Sequence, residues 1–247
     1  MDYERMAPFA RAILAERGHF EKQAQLVRRI AERFHVPYDA RILDAACGTG
    51  DVLIALNELG FKNLTGLYGS REMLEQRQPN TPPVSQCKWA DLHQYFSGHG
   101  QFDFVYMLGH ALPHAEFAEI EEVLKTIQDG LKKGGIFAFD MRAWDELPTG
   151  QLTQLGRLDG QFRSLGTVEV DGKNWSVEDM VRYHAHRQNV TYRMACAAER
   201  VQFDLSYSLF TVKMACDALI KAGFQPERVF VEDSADWPYT TIIARLE

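Results

Sequence analysis

The 247-residue chain contains no apolar run approaching the ~18 residues that a membrane-crossing helix needs. It has no CxxC or Cys/His pairing. Cys47, Cys87, Cys196 and Cys216 are scattered, and read as small buried residues or free thiols in a reducing compartment rather than zinc ligands. No metal is therefore expected. The start, Met1-Asp-Tyr-Glu-Arg, lacks a basic region followed by an apolar core, so no signal peptide is expected and a cytoplasmic location is the default. Basic charge is also short: 27 Lys and Arg stand against 34 Asp and Glu, a formal net charge of −7. Such a balance argues against nucleic acid or an anionic membrane as partner. Internal repeats and low-complexity linkers are missing too.

What is present suits one α/β domain with an elaboration: 46% hydrophobic residues and 25% charged, over a length too short for two large domains. The most informative stretch is Arg41-Ile-Leu-Asp-Ala-Ala-Cys-Gly-Thr-Gly50. An apolar run, broken by one acid, enters a tight glycine turn and then an amphipathic segment. This reads as buried strand, turn and helix start. In an open α/β sheet such a turn lies at the carboxyl end of the strands, where ligands bind. A dinucleotide fingerprint would need a further glycine at position 53, which is Leu53, and would put a pyrophosphate beside Asp44. A carboxylate below a glycine turn suits a ligand carrying positive charge.

In chain order, residues 3 to 34 read as helical, divided at Gly18 and ended by Pro37, with Tyr3, Met6 and Phe9 as candidate lid residues. A strand begins near Arg41, a helix runs from Asp51 to Gly60, and Asn63 to Tyr68 is a second strand. A helix from Arg71 to Gln76 follows, then a third strand from Val84 to Ala90, and a fourth from Phe102 to Leu108. The spacing predicts a helix over 116–132 capped by Lys132-Lys133-Gly134-Gly135, and a fifth strand at Ile136 to Phe139. This alternation predicts a doubly wound parallel sheet. From about 144 to 210 the pattern changes to short alternating segments, Phe162 to Val170, Trp175 to His186, Val190 to Ala197 and Arg200 to Tyr207, with a hairpin signal at Asp171-Gly172. They predict an antiparallel β insert of roughly sixty residues. A helix at Thr211 to Ala222 and strands at Glu227 to Glu232 and Tyr239 to Leu246 complete a seven-stranded Rossmann-like sheet.

Leu43 to Gly50 resembles motif I of the class I S-adenosylmethionine-dependent methyltransferases. Ala90-Asp91-Leu92, Phe102-Asp103-Phe104-Val105 and the run from Leu131 to Phe137 resemble the family's later motifs. The resemblance implies S-adenosyl-L-methionine as cofactor, S-adenosyl-L-homocysteine as product, and a small-molecule acceptor methylated at nitrogen or oxygen. It implies a cofactor domain over 1–143 and 211–247, with the insert over 144–210 capping the acceptor site, as in the glycine and sarcosine N-methyltransferase type. Oligomeric state is not set by the sequence, a homodimer being one option.

Carried over by position, Asp44, Ala46, Gly48 and Gly50 would hold the methionine portion, Asp91 the adenine amino group, and Leu92 and Leu108 would pack nearby. His110 and His114, after the fourth strand, are the candidate catalytic residues, since histidine suits a base near neutral pH. Arg142, Arg163, Arg182 and Tyr183 could address an acceptor carboxylate, or be solvated faces of the insert. One position departs from the pattern. Where the family usually carries an acid for the ribose hydroxyls, this chain has Tyr68. That leaves three readings: tyrosine packing on the ribose, a modified cofactor, or a chain of this fold with lost or different activity. A nucleotide-dependent oxidoreductase is the rival on a similar sheet, disfavoured by Leu53 and Asp44.

Overall fold

The computed structural model describes residues 3–15, 18–143, 160–184, 187–234 and 236–247. Helix α1 (Tyr3–Ala15) and helix α2 (His19–Arg33) are separated at Gly18, whose φ of 58° lies in the region glycine tolerates best. Then come β1 (Arg41–Asp44), α3 (Asp51–Glu58), β2 (Asn63–Tyr68), α4 (Arg71–Glu75), β3 (Val84–Gln86), α5 (Leu92–His99), β4 (Phe102–Met107), α6 (Phe117–Asp129) and β5 (Leu131–Met141). After residues 144–159, which lie outside those described, β6 (Phe162–Val170), β7 (Lys173–His184), β8 (Arg187–Ala195) and β9 (Arg200–Ser208) follow. The chain closes with α7 (Val212–Lys221), β10 (Val229–Ser234) and β11 (Trp237–Arg245).

Seven strands form one sheet in the order β10-β11-β5-β4-β1-β2-β3. β1 to β5 are mutually parallel, while β11 runs antiparallel to β5 and β10 antiparallel to β11, so the sheet is mixed at one edge. The central strands β1, β4, β5 and β11 are buried on both faces, and their period of two divides the core. Ile42, Phe104, Tyr106, Ile136 and Ala138 face α2 and α3, whereas Leu43, Val105, Met107, Phe137 and Phe139 face α5, α6 and α7. Strand order reverses between β1 and β4, which makes the carboxyl ends of those two strands the switch point where a crevice opens.

β6-β7-β8-β9 form a separate antiparallel sheet, as the alternation predicts. The turn at Asp171 and Gly172, with φ of 51° and 71°, is of the kind that joins tight hairpins. Phe9 and Ile13 of α1 pack with Val168, Trp175, Val177, Met194 and Phe203 of this sheet. On its other side α1 places Ala7 and Ala10 against Met73 of α4. The N-terminal helix therefore bridges the insert and the main sheet.

Most expected boundaries shift by a few residues, two of them for a visible reason, and one helix was not foreseen. β3 stops at Gln86 rather than Ala90 because the chain folds into a 3-10 turn, Trp89–Asp91, that sends the Trp89 indole N–H to the Ala45 carbonyl at 2.8 Å. Helix α5 follows at once. Helix α6 ends at Asp129, and Lys132 to Gly135 lie in β5 instead of capping it, because Leu131 already pairs with Phe102 and Lys132 bonds Asp103 at 2.9 Å. No described helix is long and apolar enough to cross a membrane.

Gly66 of β2 shows how tightly β1, β2 and α3 meet. A Cβ there would lie 2.7 Å from Leu53 Cδ1 and 2.8 Å from Cys47 Sγ. Gly66→Ala should therefore cost about 1–3 kcal/mol through overpacking, read as a lower midpoint in thermal melts. Gly98→Ala in α5, where nothing lies within 4 Å, should be neutral or stabilising. Equal midpoints for the two variants would contradict this packing.

Candidate active site

The crevice at the switch point is a cavity of about 1020 Å3. Its floor is the glycine turn, from Asp44 to Thr49. Backbone bonds hold that turn between its neighbours: Ala45 N–H donates to the Tyr106 carbonyl at 2.9 Å and Cys47 N–H to the Leu67 carbonyl at 3.0 Å. Gly50, with φ of 80°, starts α3, and a Cβ on it would sit 2.5 Å from Thr81 Cγ2. Asp51, the next residue, is buried and accepts from Thr49 Oγ1 at 2.6 Å and Gln78 Nε2 at 2.9 Å, and pairs with Arg11 of α1 at 2.8 Å.

Asp44 is 3% exposed. Its Oδ1 accepts from the Ala46 N–H at 3.0 Å. The Tyr106 hydroxyl lies close to it, buried and without a well-formed hydrogen bond of its own. Burial raises the Asp44 carboxyl to about 7, partly offset by Ala46 and Tyr106. A carboxylate held this way, with no ion pair to a lysine or arginine among the described residues, favours a cation in the space above it.

At the end of β2, Tyr68 lines the cavity and meets Tyr3 of α1 edge-on, the ring centroids 5.7 Å apart. Their hydroxyls are hydrogen-bonded, and burial pushes both phenols upward, so neither ionises. Tyr3 also meets His114 edge-on at 5.6 Å, and His114 in turn meets Tyr207 of β9 at 4.3 Å. The α1 helix and the insert sheet thus close the cavity over the β4 loop, with Met6, Tyr192, Phe203 and Leu205 in the same wall.

The two histidines differ. His114 lines the cavity, and its Nδ1 is 3.2 Å from the Ser206 carbonyl. That contact puts the proton on Nδ1 and the lone pair on Nε2. Burial pulls His114 down to about 4. His110 does not line the cavity. It is stacked between Tyr239 at 5.3 Å and Tyr207 at 5.1 Å, and its Nδ1 accepts from the Arg142 N–H at 3.3 Å. Burial brings it to about 3, so it too is neutral. His110 adopts φ of 62°, unusual for a residue with a Cβ. Asp140, at the end of β5, accepts from the Gly109 and His110 N–H groups at 3.0 and 2.6 Å and from the Trp237 indole at 2.7 Å. This buried carboxyl is raised to about 6.

Of the other expected cofactor residues, Ala46, Gly48 and Leu108 line the cavity and Gly50 shapes the turn behind it. Asp91 is exposed at the head of α5, Leu92 is in the core, and neither lines the cavity, which is walled there by Trp89, Ala90 and His93. Trp89 was missed by the sequence reading, its only signal being an aromatic just after β3. Arg163 is spent in a two-pronged pair with Asp179 at 2.8 and 2.7 Å. Arg182 is exposed, and neither it, Tyr183 nor Arg142 lines the cavity. Phe9 packs on Trp175 at 4.9 Å, away from the cavity. No cluster of potential metal ligands occurs among the described residues.

The depressed His114 has a consequence for stability. An unfolded chain takes up a proton near pH 6.5, whereas the fold resists it until about 4. The wild type therefore loses stability as pH falls through that window. His114→Asn removes this loss, so the variant's deficit against wild type should shrink between pH 7 and pH 4 in urea unfolding. A deficit constant across that range would contradict the buried neutral imidazole.

Comparison with known proteins agrees with this geometry. A profile described as a methyltransferase domain matches residues 42–135. The putative methyltransferase YqeM of Bacillus subtilis (strain 168) is 34% identical over 112 residues, 44% of this chain and 44% of its own length. The chain thus aligns with less than half of that relative. Among solved structures, an S-adenosylmethionine-dependent methyltransferase from Clostridium acetobutylicum ATCC 824 superposes with a TM-score of 0.70 at 16% identity, covering 92% of each chain. The sugar N-methyltransferase KedS8 from Streptoalloteichus sp ATCC 53650 gives 0.69 at 24% identity, covering 92% of this chain and 88% of its own. Residues 42–135 thus match a methyltransferase-domain profile, and the chain as a whole has the fold of the solved S-adenosylmethionine-dependent methyltransferases.

Proposed function

We propose that the protein transfers a methyl group from S-adenosyl-L-methionine to a nitrogen or oxygen atom of a small molecule, leaving S-adenosyl-L-homocysteine. The observation that carries this is Asp44: a buried carboxylate with no fixed cation among the described residues, under a glycine turn, at the switch point of the sheet. The cofactor, when bound, supplies a methyl group made electrophilic by its sulfonium. Asp44, Ala46 and Gly48 would hold its methionine portion, and Trp89, Ala90 and His93 its base. The matched methyltransferase domain and the small-molecule methyltransferases of the same fold, a sugar N-methyltransferase among them, support the reading.

This chain's own contribution is enclosure and alignment. Helix α1 and strands β8 and β9 line the cavity and would exclude water from a displacement whose rate depends on alignment of nucleophile, methyl carbon and sulfur. His114 lines the cavity and would orient an acceptor N–H or O–H, and Tyr3 and Tyr207 hold its ring. His110 supports that wall from behind. Binding without methyl transfer is the second reading, motivated by the tyrosine at position 68. Transfer of labelled methyl to any natural acceptor would exclude it.

Calorimetric titration tests the cofactor assignment, and absence of millimolar-or-better binding of S-adenosylmethionine would sink it. Asp44→Asn should weaken binding of this cation by about ten- to hundredfold at pH 8, the usual worth of a hydrogen bond to a charged group. The gap should narrow at pH 6, because the wild-type carboxyl, near 7 in the empty site, is then largely protonated.

A further inference from the structure

We propose that Glu72 supplies the charge that holds the cofactor's ribose hydroxyls, in place of the acid missing from the end of β2. The inference rests on the reading of the cavity as a site for S-adenosylmethionine and its product. A vicinal diol presents two O–H donors, and a carboxylate is the acceptor that matches both, which is why nucleotide-binding sheets place an acid after their second strand. Tyr68 cannot do this. It is a neutral phenol whose hydroxyl is engaged with that of Tyr3.

Five carboxylates line the cavity among the described residues: Glu4, Asp44, Glu72, Glu119 and Glu122. Asp44 lies beneath the glycine turn. Glu119 is tied into the capping box of α6, its Oε2 accepting from the Glu116 N–H at 3.1 Å. Glu122 is on α6, across the sheet order from β2, and Glu4 is on α1. Only Glu72 belongs to the connection that follows β2, four residues beyond Tyr68. Its carboxylate is held at that turn by Ser70, whose hydroxyl donates to Oε2 at 2.9 Å while accepting from the Met73 N–H at 3.2 Å. The neighbouring cation does not consume it, since Arg71 Nε is directed to Glu75 at 2.8 Å. Hydrogen bonding to its own backbone N–H and to Ser70 keeps the Glu72 carboxyl below its ordinary range, hence ionised. Gly69, between Tyr68 and Ser70, adds no side chain to the cavity wall at the turn.

Calorimetry with S-adenosyl-L-homocysteine and its 2′,3′-dideoxy analogue tests the proposal on the full chain. Glu72→Gln should weaken binding of the parent ligand by about ten- to hundredfold. It should leave the dideoxy analogue bound as in wild type, and wild type itself should lose a similar factor when the hydroxyls are removed. Unchanged affinity in Glu72→Gln overturns the proposal, and so does an equal loss for both ligands, which would place the residue's effect away from the ribose. Failure of wild type to bind either ligand would overturn the cofactor reading itself, a result separable from any effect of the substitution.

Discussion

The carboxylate of Asp140 is the constraint on which the β4-loop side of this cavity depends. It lies fully buried at the end of β5 and receives three N–H donors: two from the backbone of the β4 loop and one from the Trp237 indole. The loop reaches those bonds only by turning Gly109 and His110 into left-handed backbone, a conformation that costs a side-chain-bearing residue of order 1–3 kcal/mol. Three charge-assisted bonds offset that strain. Once the turn is fixed, the His110 ring has one place to go, between Tyr239 and Tyr207, and the loop then delivers His114 to the cavity.

From there an unbroken run of ring contacts crosses the molecule. Tyr68, Tyr3, His114, Tyr207, His110, Tyr239, Trp237 and His19 touch in sequence, each pair with centroids between 4.3 and 5.7 Å. These rings come from the end of β2, α1, the β4 loop, β9, β11 and the start of α2. The wall of the cavity is therefore assembled from segments far apart in the chain, and Tyr3 joins its β2 end to its β4-loop end.

What was legible in the sequence follows from range. The glycine turn, the alternation of strands and helices, and the four antiparallel strands are written in local periodicity and turn chemistry, and their boundaries fall within a few residues of expectation. The misreadings lie where a distant partner decides. Trp89 shortens β3 because its indole finds Ala45 across the sheet. Lys132 leaves the expected helix end because Asp103 bonds it and Phe102 pairs with Leu131, which draws the segment into β5. Asp140 carries no local signal of its role, since its donors lie 30, 31 and 97 residues away. Asp91, whose motif position suggests a ligand contact, is exposed at the head of α5. Glu72 carried no signal, because its significance depends on how Tyr68 is occupied.

The bond between Trp237 and Asp140 has a further implication, for the order in which the chain acquires its shape. β5 is flanked in the finished sheet by β4 and β11, and β11 arrives 97 residues after Asp140, beyond the entire insert. During synthesis, the half that carries the glycine turn must wait with an open sheet edge and a carboxylate short of one donor. The insert is threaded between these two partners, so its hairpins close early and locally, while the sheet that supports the cavity is sealed last. Parallel and long-range pairings of this kind fold slowly. The last strand thus acts as the keystone of the site, set in place after the walls on either side are standing.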